Sequence, residues 1–340
     1  MRPAGRQTAL TMSETPRKRL TVFEPLERLT PDGFFYRRWN DRVFPPFIDP
    51  AVGQALADGW DTDEHDVFIS THQKVGTHLT KKFVVEILRQ LHPYPDDGGI
   101  HAGDIGHGTV PWPEVLASQH GLDAFHDFLA RTTGRPRVWY LHSPAELLPF
   151  RRIHPDSKFL FVLRDPRSVV VSQYFFYKSH PLLGVPESLT MEEFVPMFLD
   201  GGMYFGDYHQ HTLDWVSGCD GRIDRDRLLV LRYEDLVERK ETAVDAIAAH
   251  ILPGCRPTDA QRSAIAASTE FSTMKQGIIE KPGTFHFDPQ TFFRSGQTEG
   301  WRKHLSDSQQ ARIDEKSARV WGTGCVTHPD LSGALTIGHR

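Results

Sequence analysis

The chain has 340 residues, of which 39% are hydrophobic and 11% aromatic, so it can bury a large core and is not a disordered protein. Its 39 basic and 44 acidic residues give a net charge of −5, which argues against nucleic acid or an anionic membrane surface as a partner. Any anion that the protein binds must be held by a local cluster of cations.

The ends of the chain carry no structural pattern. Residues 1–19 are polar and basic, and we expect a disordered tail there whose true start is Met1 or Met12. No apolar run approaches the about 20 residues needed to cross a bilayer, and three scattered cysteines suit a reducing compartment. We therefore expect a cytoplasmic protein with one domain over residues 20–325 and a C-terminal tail over 326–340.

The first half of the chain contains one clear strand and one clear helix. Residues 20–60 are rich in aromatics and prolines, which suggests irregular structure packed on the outside of the domain. Residues 66–71 are apolar at their centre, as expected for a strand buried on both faces. A helix is predicted from Thr77, because the apolar residues from Leu79 to Leu91 follow a 3.6-residue period.

The alternation of strands and helices then continues. Strands are predicted at Val138–Leu141, Lys158–Leu163 and Leu228–Arg232, and a helix is predicted over residues 235–251. This order indicates a single α/β domain with a central, mostly parallel sheet flanked by helices.

Two strand ends carry residues suited to anions. After the first strand, Lys74, Gly76 and Thr77 offer a positive charge, a close approach to the main chain and a hydroxyl group at a helix N-terminus. The loop is not a Walker A motif, which disfavours ATP hydrolysis. After the strand Lys158–Leu163, Arg164 can bind a phosphate bidentately, with Ser172 two turns along the next helix.

At this point the sequence resembles the cytosolic sulfotransferases, which use 3′-phosphoadenosine 5′-phosphosulfate (PAPS) as donor and have a P-loop-like fold. Their phosphosulfate loop usually reads Tyr-Pro-Lys-Ser-Gly-Thr-Thr-Trp, and residues 72–79 here read His-Gln-Lys-Val-Gly-Thr-His-Leu. Their Arg-Asn-Pro, with a serine eight positions after the arginine, is similar to Arg164-Asp165-Pro166 and Ser172.

Further matches follow in the same order along residues 30–320. Residues 141–144 resemble Thr-His-Leu-Pro, residues 233–235 match Tyr-Glu-Asp, residues 269–271 resemble Thr-Ser-Phe, and residues 294–296 resemble Arg-Lys-Gly. The resemblance implies a PAPS-dependent sulfotransferase that releases adenosine 3′,5′-bisphosphate (PAP) and requires no metal. His142 would be the general base, and Lys74 would stabilise the leaving phosphate. The implied cofactor-binding residues are Lys74, Val75, Gly76, Thr77, His78, Leu79, Arg164, Ser172, Tyr233, Thr269, Phe271, Arg294, Ser295 and Gly296.

Several positions depart from the family pattern. Val75 lacks the hydroxyl group of the usual serine, Leu79 replaces a tryptophan, and Ser295 replaces a lysine. Tyr140 stands where many relatives carry a lysine, two residues before the histidine. These changes leave open whether cofactor binding is weakened. The family's dimerisation pattern is not recognisable in residues 302–312, so the oligomeric state, including a homodimer, also stays open.

The acceptor is the least determined part of the function. Trp112 resembles an aromatic residue that lines the acceptor pocket in relatives. Residues 34–47, which include Phe44, are expected to form a second wall, and His142 is expected to contact the acceptor. Aromatic walls favour a small alcohol or phenol, and an amine is not excluded.

Two other functions compete with this interpretation. One is a small-molecule kinase, against which the missing Gly-Lys-Ser/Thr sequence counts. The other is a nucleotide-binding module of the same fold that has lost catalysis.

Overall fold

The structure is a computed structural model that describes residues 20–91, 110–134, 136–148, 152–279, 296 and 298–322. The tails expected at residues 1–19 and 326–340 lie outside these residues, and so do Arg294 and Ser295. The domain boundaries at residues 20 and 325 therefore stay a prediction.

Residues 20–60 form regular structure, which corrects the expectation of an irregular segment. Three short strands, β1 (Glu27–Thr30), β2 (Gly33–Trp39) and β3 (Arg42–Phe44), make an antiparallel sheet, and helix α1 (Pro50–Asp58) follows. Asn40 and Asp41 join β2 to β3 with φ of 47° and 57°, a tight hairpin turn that these residue types tolerate. Because Phe34 and Phe44 are fully buried, this sheet belongs to the core.

The central sheet is parallel, as predicted. Its described strands are β4 (Val67–Thr71), β5 (Val138–Leu141), β6 (Lys158–Leu163) and β7 (Leu228–Arg232), in the order β5-β4-β6-β7. Every pair is parallel, with Val67 opposite both Val138 and Lys158, and Leu163 opposite Arg232.

Helices cover both faces of this sheet. In chain order they are α2 (Thr77–Leu91), α3 (Pro113–His120), α4 (Leu122–Thr132), α5 (Pro166–Ser179), α6 (Met191–Leu199), α7 (Tyr208–Val216), the single turn α8 (Gly218–Gly221), α9 (Tyr233–Glu238), α10 (Lys240–Ile251), α11 (Asp259–Ser268), α12 (Phe271–Ile279) and α13 (Asp307–Trp321).

The strands are buried on both sides because their alternate residues enter two cores. Val67 and Ile69 of β4 pack in one core with Phe83 of α2, while Phe68 packs in the other with Trp215 of α7. This arrangement explains why the strands are continuous apolar runs in the sequence.

The helix predicted over residues 235–251 is two helices in the structure. The backbone leaves the helical conformation at Arg239, with φ −126° and ψ 51°, between α9 and α10. The Arg239 side chain turns back onto the Asp235 carboxylate at 2.5 Å and stabilises this break. The sequence predicted one continuous helix because its apolar residues keep a helical period across this break.

Strand β4 lies between β5 and β6. The chain therefore passes from β4 to β5 toward one edge of the sheet and from β6 to β7 toward the other edge. Parallel sheets bind ligands in the crevice that opens at the carboxyl ends of such strands. The predicted site residues follow these strand ends.

Candidate functional site

The loop after β4 enters α2 through a constrained backbone path. Lys74 has φ 68° and Gly76 has φ 114°. A Cβ atom at Gly76 would lie 2.5 Å from the ring of Tyr233, so only glycine fits there. Thr77 opens α2, whose first N–H groups have no partner within the helix. Together with the Lys74 ammonium group, this helix end can bind an anion.

Arg164 connects this loop to the end of β6. Its Nη1 donates to the carbonyl oxygen of Lys74 at 3.1 Å, and its guanidinium carbon lies 4.1 Å from the ring centroid of Tyr233. The Tyr208 hydroxyl group accepts from the Arg164 N–H at 3.1 Å and donates to the Arg164 carbonyl oxygen. Both the main chain and the side chain of Arg164 are therefore held in place.

Ser172 reaches the same region from α5. That helix begins at Pro166, and the Asp165 carboxylate caps it by accepting from the Arg167 N–H at 2.8 Å. Pro166 in the first turn is as the sequence predicted. Ser172 lines the same cavity as Arg164, so the two can bind one ligand group.

Residues around the start of α12 form another part of the cavity wall. Thr269 and Phe271 line it together with Gly296, whose φ is 64°. A Cβ atom at Gly296 would lie 2.6 Å from the Phe271 ring, so this glycine allows a close approach. Lys240 of α10 pairs with Glu270 at 2.6 Å beside them.

His142 follows β5 and is buried against Thr71. Its Nδ1 lies 2.9 Å from the Thr71 carbonyl oxygen and 3.1 Å from the Thr71 Oγ1. Because a carbonyl oxygen can only accept, Nδ1 carries the proton of the neutral ring and Nε2 keeps its lone pair. His142 can therefore act as a base through Nε2.

Burial lowers the pKa of His142 to about 3, and the positive charges of Lys81 and Lys74 act in the same direction. The hydrogen bond to Thr71 opposes this effect. The imidazole is consequently neutral at pH 7, the state that accepts a proton.

The cavity beside His142 has aromatic walls. The Trp112 ring packs edge-on to His142 with the centroids 4.9 Å apart, and Phe47 stacks on His180 at 5.8 Å. Phe176 lies beside His180, and the Lys74 ammonium is 4.4 Å from the Phe176 centroid. This end suits an apolar, ring-bearing molecule.

Two predicted residues do not face the cavity. Phe44 is fully buried between Trp39 and Phe205, with centroid distances of 4.9 and 5.3 Å. This corrects the expectation that Phe44 lines the acceptor pocket, since Phe47 lines it instead. Val75 is fully buried in the core, so its side chain packs away from the cavity.

One cavity of about 210 Å³ brings most of the predicted residues together. The predicted residues that line it are Lys74, Gly76, Thr77, His78, Leu79, Trp112, His142, Arg164, Ser172, Tyr233, Thr269, Phe271 and Gly296. The first and last of them, Lys74 and Gly296, are more than 200 residues apart in the sequence. The parallel sheet brings the strand ends among them together, because the carboxyl ends of its strands lie on the same side of the sheet.

The structure adds lining residues that were not among the expected site residues. Tyr140 lines the cavity from β5, and His180 lines it from the end of α5. Alternation along β5 would have placed Tyr140 on the same face as His142. For His180, which follows the last turn of α5, the sequence carries no such signal.

Other ligand chemistry has little support in the part of the chain that the structure describes. There, the groups close enough to share a metal ion are Asp63, Glu64 and His65, at the opposite end of β4 from the cavity. The Asp63 carboxylate already accepts from the N–H groups of His65 and Gly134. None of the described helices is long and apolar enough to span a membrane.

Comparisons with known proteins identify the family and the fold of the chain. Residues 64–321 match the sulfotransferase domain model. The 3-beta-hydroxysteroid sulfotransferase of Cavia porcellus is 24% identical over 283 residues, covering 82% of this chain and 91% of its own length. Human sulfotransferase 2A1 is 25% identical, covering 74% and 82%. The crystal structure of mouse sulfotransferase SULT7A1 with PAP aligns with a TM-score of 0.66 at 21% identity, covering 85% and 95%.

Proposed function

The chain belongs to the sulfotransferase family and is a PAPS-dependent sulfotransferase, and from that premise we propose that it sulfates a hydroxyl group of a small apolar molecule. His142 is the general base in this proposal, and Lys74 stabilises the leaving phosphate. The observation that carries it is the placement of His142 and Lys74 in one cavity, with Nδ1 of His142 bound to Thr71.

The residues at the two strand ends fit a donor with two phosphate groups. Lys74, Gly76 and Thr77 would hold the phosphosulfate at the N-terminus of α2. Arg164 and Ser172 would hold the 3′-phosphate. The ring of Tyr233 packs against Gly76, and the ring of Phe271 packs against Gly296. These two rings and Thr269 would hold the adenine.

The chemistry needs one base and one site for negative charge. His142 Nε2 removes the proton from the acceptor hydroxyl group as its oxygen forms a bond to sulfur. The bond between sulfur and the phosphate oxygen breaks, and the electron pair stays on the phosphate. The Lys74 ammonium and the N–H groups of α2 stabilise that charge. A general base typically contributes about 10²–10⁴ in rate, and one preorganised donor about 10²–10³.

The acceptor is an alcohol or phenol on an apolar ring system. Beyond the aromatic side chains, the cavity walls include Leu20, Pro45, Val115 and Leu183, which offer contact area rather than charge. The relative from Cavia porcellus carries hydroxysteroid in its name, and a crystal structure named retinol dehydratase with androsterone and PAP aligns at a TM-score of 0.63 and 18% identity. A ring-bearing alcohol is consistent with both.

Donor binding is tested by calorimetric titration of the protein with PAP. We expect micromolar binding that is lost in Arg164→Ala and retained in Arg152→Ala, a half-exposed arginine paired with Asp61. A wild-type protein that does not bind PAP would remove the proposed donor site.

Transfer is tested with labelled PAPS and a panel of hydroxysteroids, phenols and amines. Lys74→Ala and His142→Ala should lose at least 100-fold in kcat. The matched controls are Lys82→Ala, whose lysine pairs with Glu86 on α2, and His126→Ala, whose histidine is exposed on α4. Tight PAP binding without transfer to any of these acceptors would favour a module that has lost catalysis.

A further inference from the structure

Behind the cavity wall, hydrogen bonds connect His142 to Thr77 through a buried residue. Thr71, the last residue of β4, has its Oγ1 3.1 Å from His142 Nδ1 and 2.8 Å from Thr77 Oγ1. Thr71 is fully buried and does not line the cavity, whereas Thr77 and His142 do. His142, the proposed base, and Thr77, the proposed contact of the donor phosphate, both line the cavity. The hydrogen bonds of Thr71 also connect them through the interior of the protein.

The geometry fixes the donor at the His142 end of this series of hydrogen bonds. Nδ1 of His142 is the donor, because the Thr71 carbonyl oxygen at 2.9 Å can only accept. Thr71 Oγ1 can accept from the same N–H, and either hydroxyl group of the Thr71–Thr77 pair can donate to the other. The coupling argued below uses the direction in which Thr71 donates to Thr77 Oγ1. The hydroxyl hydrogen of Thr77 is then available to the cavity. In this direction the Thr77 hydroxyl group, at the cavity end of the series, is a donor, which suits an anionic oxygen.

Building on the proposed function, we propose that Thr71 is a positioning residue that couples the base to the leaving phosphate. As His142 takes the acceptor's proton on Nε2, its Nδ1–H becomes a stronger donor. At the same time the departing phosphate becomes a stronger acceptor at Thr77. Hydrogen bonds in a row polarise one another, so each change strengthens the other. No proton leaves the chain in this scheme, and the imidazolium keeps both of its protons.

Substitutions at Thr71 can distinguish the proposed coupling from a role in packing alone, because valine has nearly the shape of threonine. Thr71→Val removes the hydroxyl group and keeps the Thr71 carbonyl bond that orients His142. Thr71→Ser keeps the hydroxyl group and removes a methyl group. If Thr71 only filled space, Thr71→Ser would be the more harmful change; in the coupled scheme the order is reversed.

The decisive measurement is the NMR signal of the His142 Nδ1–H group during titration with PAP, assigned by its absence in His142→Gln. In the wild type the Nδ1–H resonance should move as PAP saturates the site. In Thr71→Val that movement should be largely lost while the PAP Kd changes less than about threefold, and in Thr71→Ser it should persist. Thr77→Val breaks the chain from its other end and keeps the test decisive if Thr71→Val does not fold.

Kinetics provide a second readout. Thr71→Val should lower kcat by about 10–100-fold, the effect of a hydrogen bond to a charged group, with Thr71→Ser within about threefold of the wild type. The proposal is overturned if Thr71→Val binds PAP and shows the wild-type resonance shift, or if the wild type binds PAP without any shift. Absence of PAP binding in the wild type would instead contradict the donor site itself.

Discussion

The guanidinium group of Arg164 lies over the ring of Tyr233, with its central carbon 4.1 Å from the ring centroid. These residues directly follow Leu163 and Arg232, which are paired across β6 and β7. The contact therefore holds a flat, charged donor group at the junction of two strand ends before a ligand arrives. Preorganisation of this kind reduces the entropy lost on binding.

Replacement of Arg164 by lysine tests this contact. Lysine keeps the charge but loses the planar fork and its stacking, so Arg164→Lys should weaken PAP binding by about 10-fold or more. Tyr233→Phe keeps the ring and should leave the PAP Kd within about threefold, while Tyr233→Ala should weaken binding. Calorimetry measures all three. Equal affinities for Arg164→Lys and the wild type would show that charge alone matters.

Gly76→Ala should damage both folding and PAP binding. Alanine at φ 114° is strained by about 1–3 kcal/mol, and its Cβ would also meet the Tyr233 ring at 2.5 Å. Gly121→Ala is the matched control, because Gly121 has φ 89° and no atom within 4 Å of a built Cβ. Denaturant unfolding should show a larger loss for Gly76→Ala, and calorimetry should show weakened PAP binding in that variant alone. Similar losses in both variants would mean that the contact with Tyr233 is easily relieved.

The central sheet could be predicted almost to the residue because burial on both faces leaves a continuous apolar run. Strands β6 and β7 match their predicted bounds, and β4 differs by one residue. The short N-terminal strands were missed, since their many aromatics concealed the hairpin signal at Asn40 and Asp41. The break at Arg239 depends on a side-chain contact that an apolar period cannot show.

The candidate site was predictable at the level of motifs but not of contacts. Lys74 and Arg164 could be selected because each follows a strand end, whereas His142 was selected by the resemblance of residues 141–144 to the family's Thr-His-Leu-Pro. The hydrogen bond between Thr71 and His142 joins residues 71 apart in the chain, and no local pattern reports it. The choice between Phe44 and Phe47 likewise depends on which ring turns into the core.

Lys81→Met should raise the pKa of His142. The Lys81 ammonium is buried 4.1 Å from the Tyr140 ring centroid, and its charge helps to keep the pKa of His142 at about 3. In the wild type without ligand, the His142 NMR signals should not titrate between pH 8 and 5. In Lys81→Met the onset of titration should move to higher pH, because protonation of His142 no longer meets that charge.

Lys82→Met is the control for this change, since Lys82 follows Lys81 on α2 but pairs with Glu86 at 2.6 Å. Its His142 titration should match that of the wild type. A wild-type midpoint near the ordinary histidine value of about 6.5 would contradict the neutral, buried base.

Buried histidines should make the fold sensitive to acid. Burial lowers the pKa of His250 to about 4, and its Nε2 donates to the Phe159 carbonyl oxygen at 3.0 Å, away from the cavity. In the unfolded chain this histidine titrates near about 6.5. Between those values the unfolded state binds one more proton than the folded state, so stability rises with pH and is lost as the pH falls from 6.5 toward 4.

His250→Gln isolates the contribution of that one group, because glutamine keeps an N–H donor but cannot take up a proton. Each such histidine contributes a slope of up to about 1.4 kcal/mol per pH unit in this window. The free energy of unfolding, measured in denaturant from pH 7.5 to 5, should therefore fall less steeply in His250→Gln than in the wild type. If the variant is less stable at pH 7.5, the two curves should therefore converge as the pH falls. Parallel curves would show that His250 is protonated equally in the folded and unfolded states.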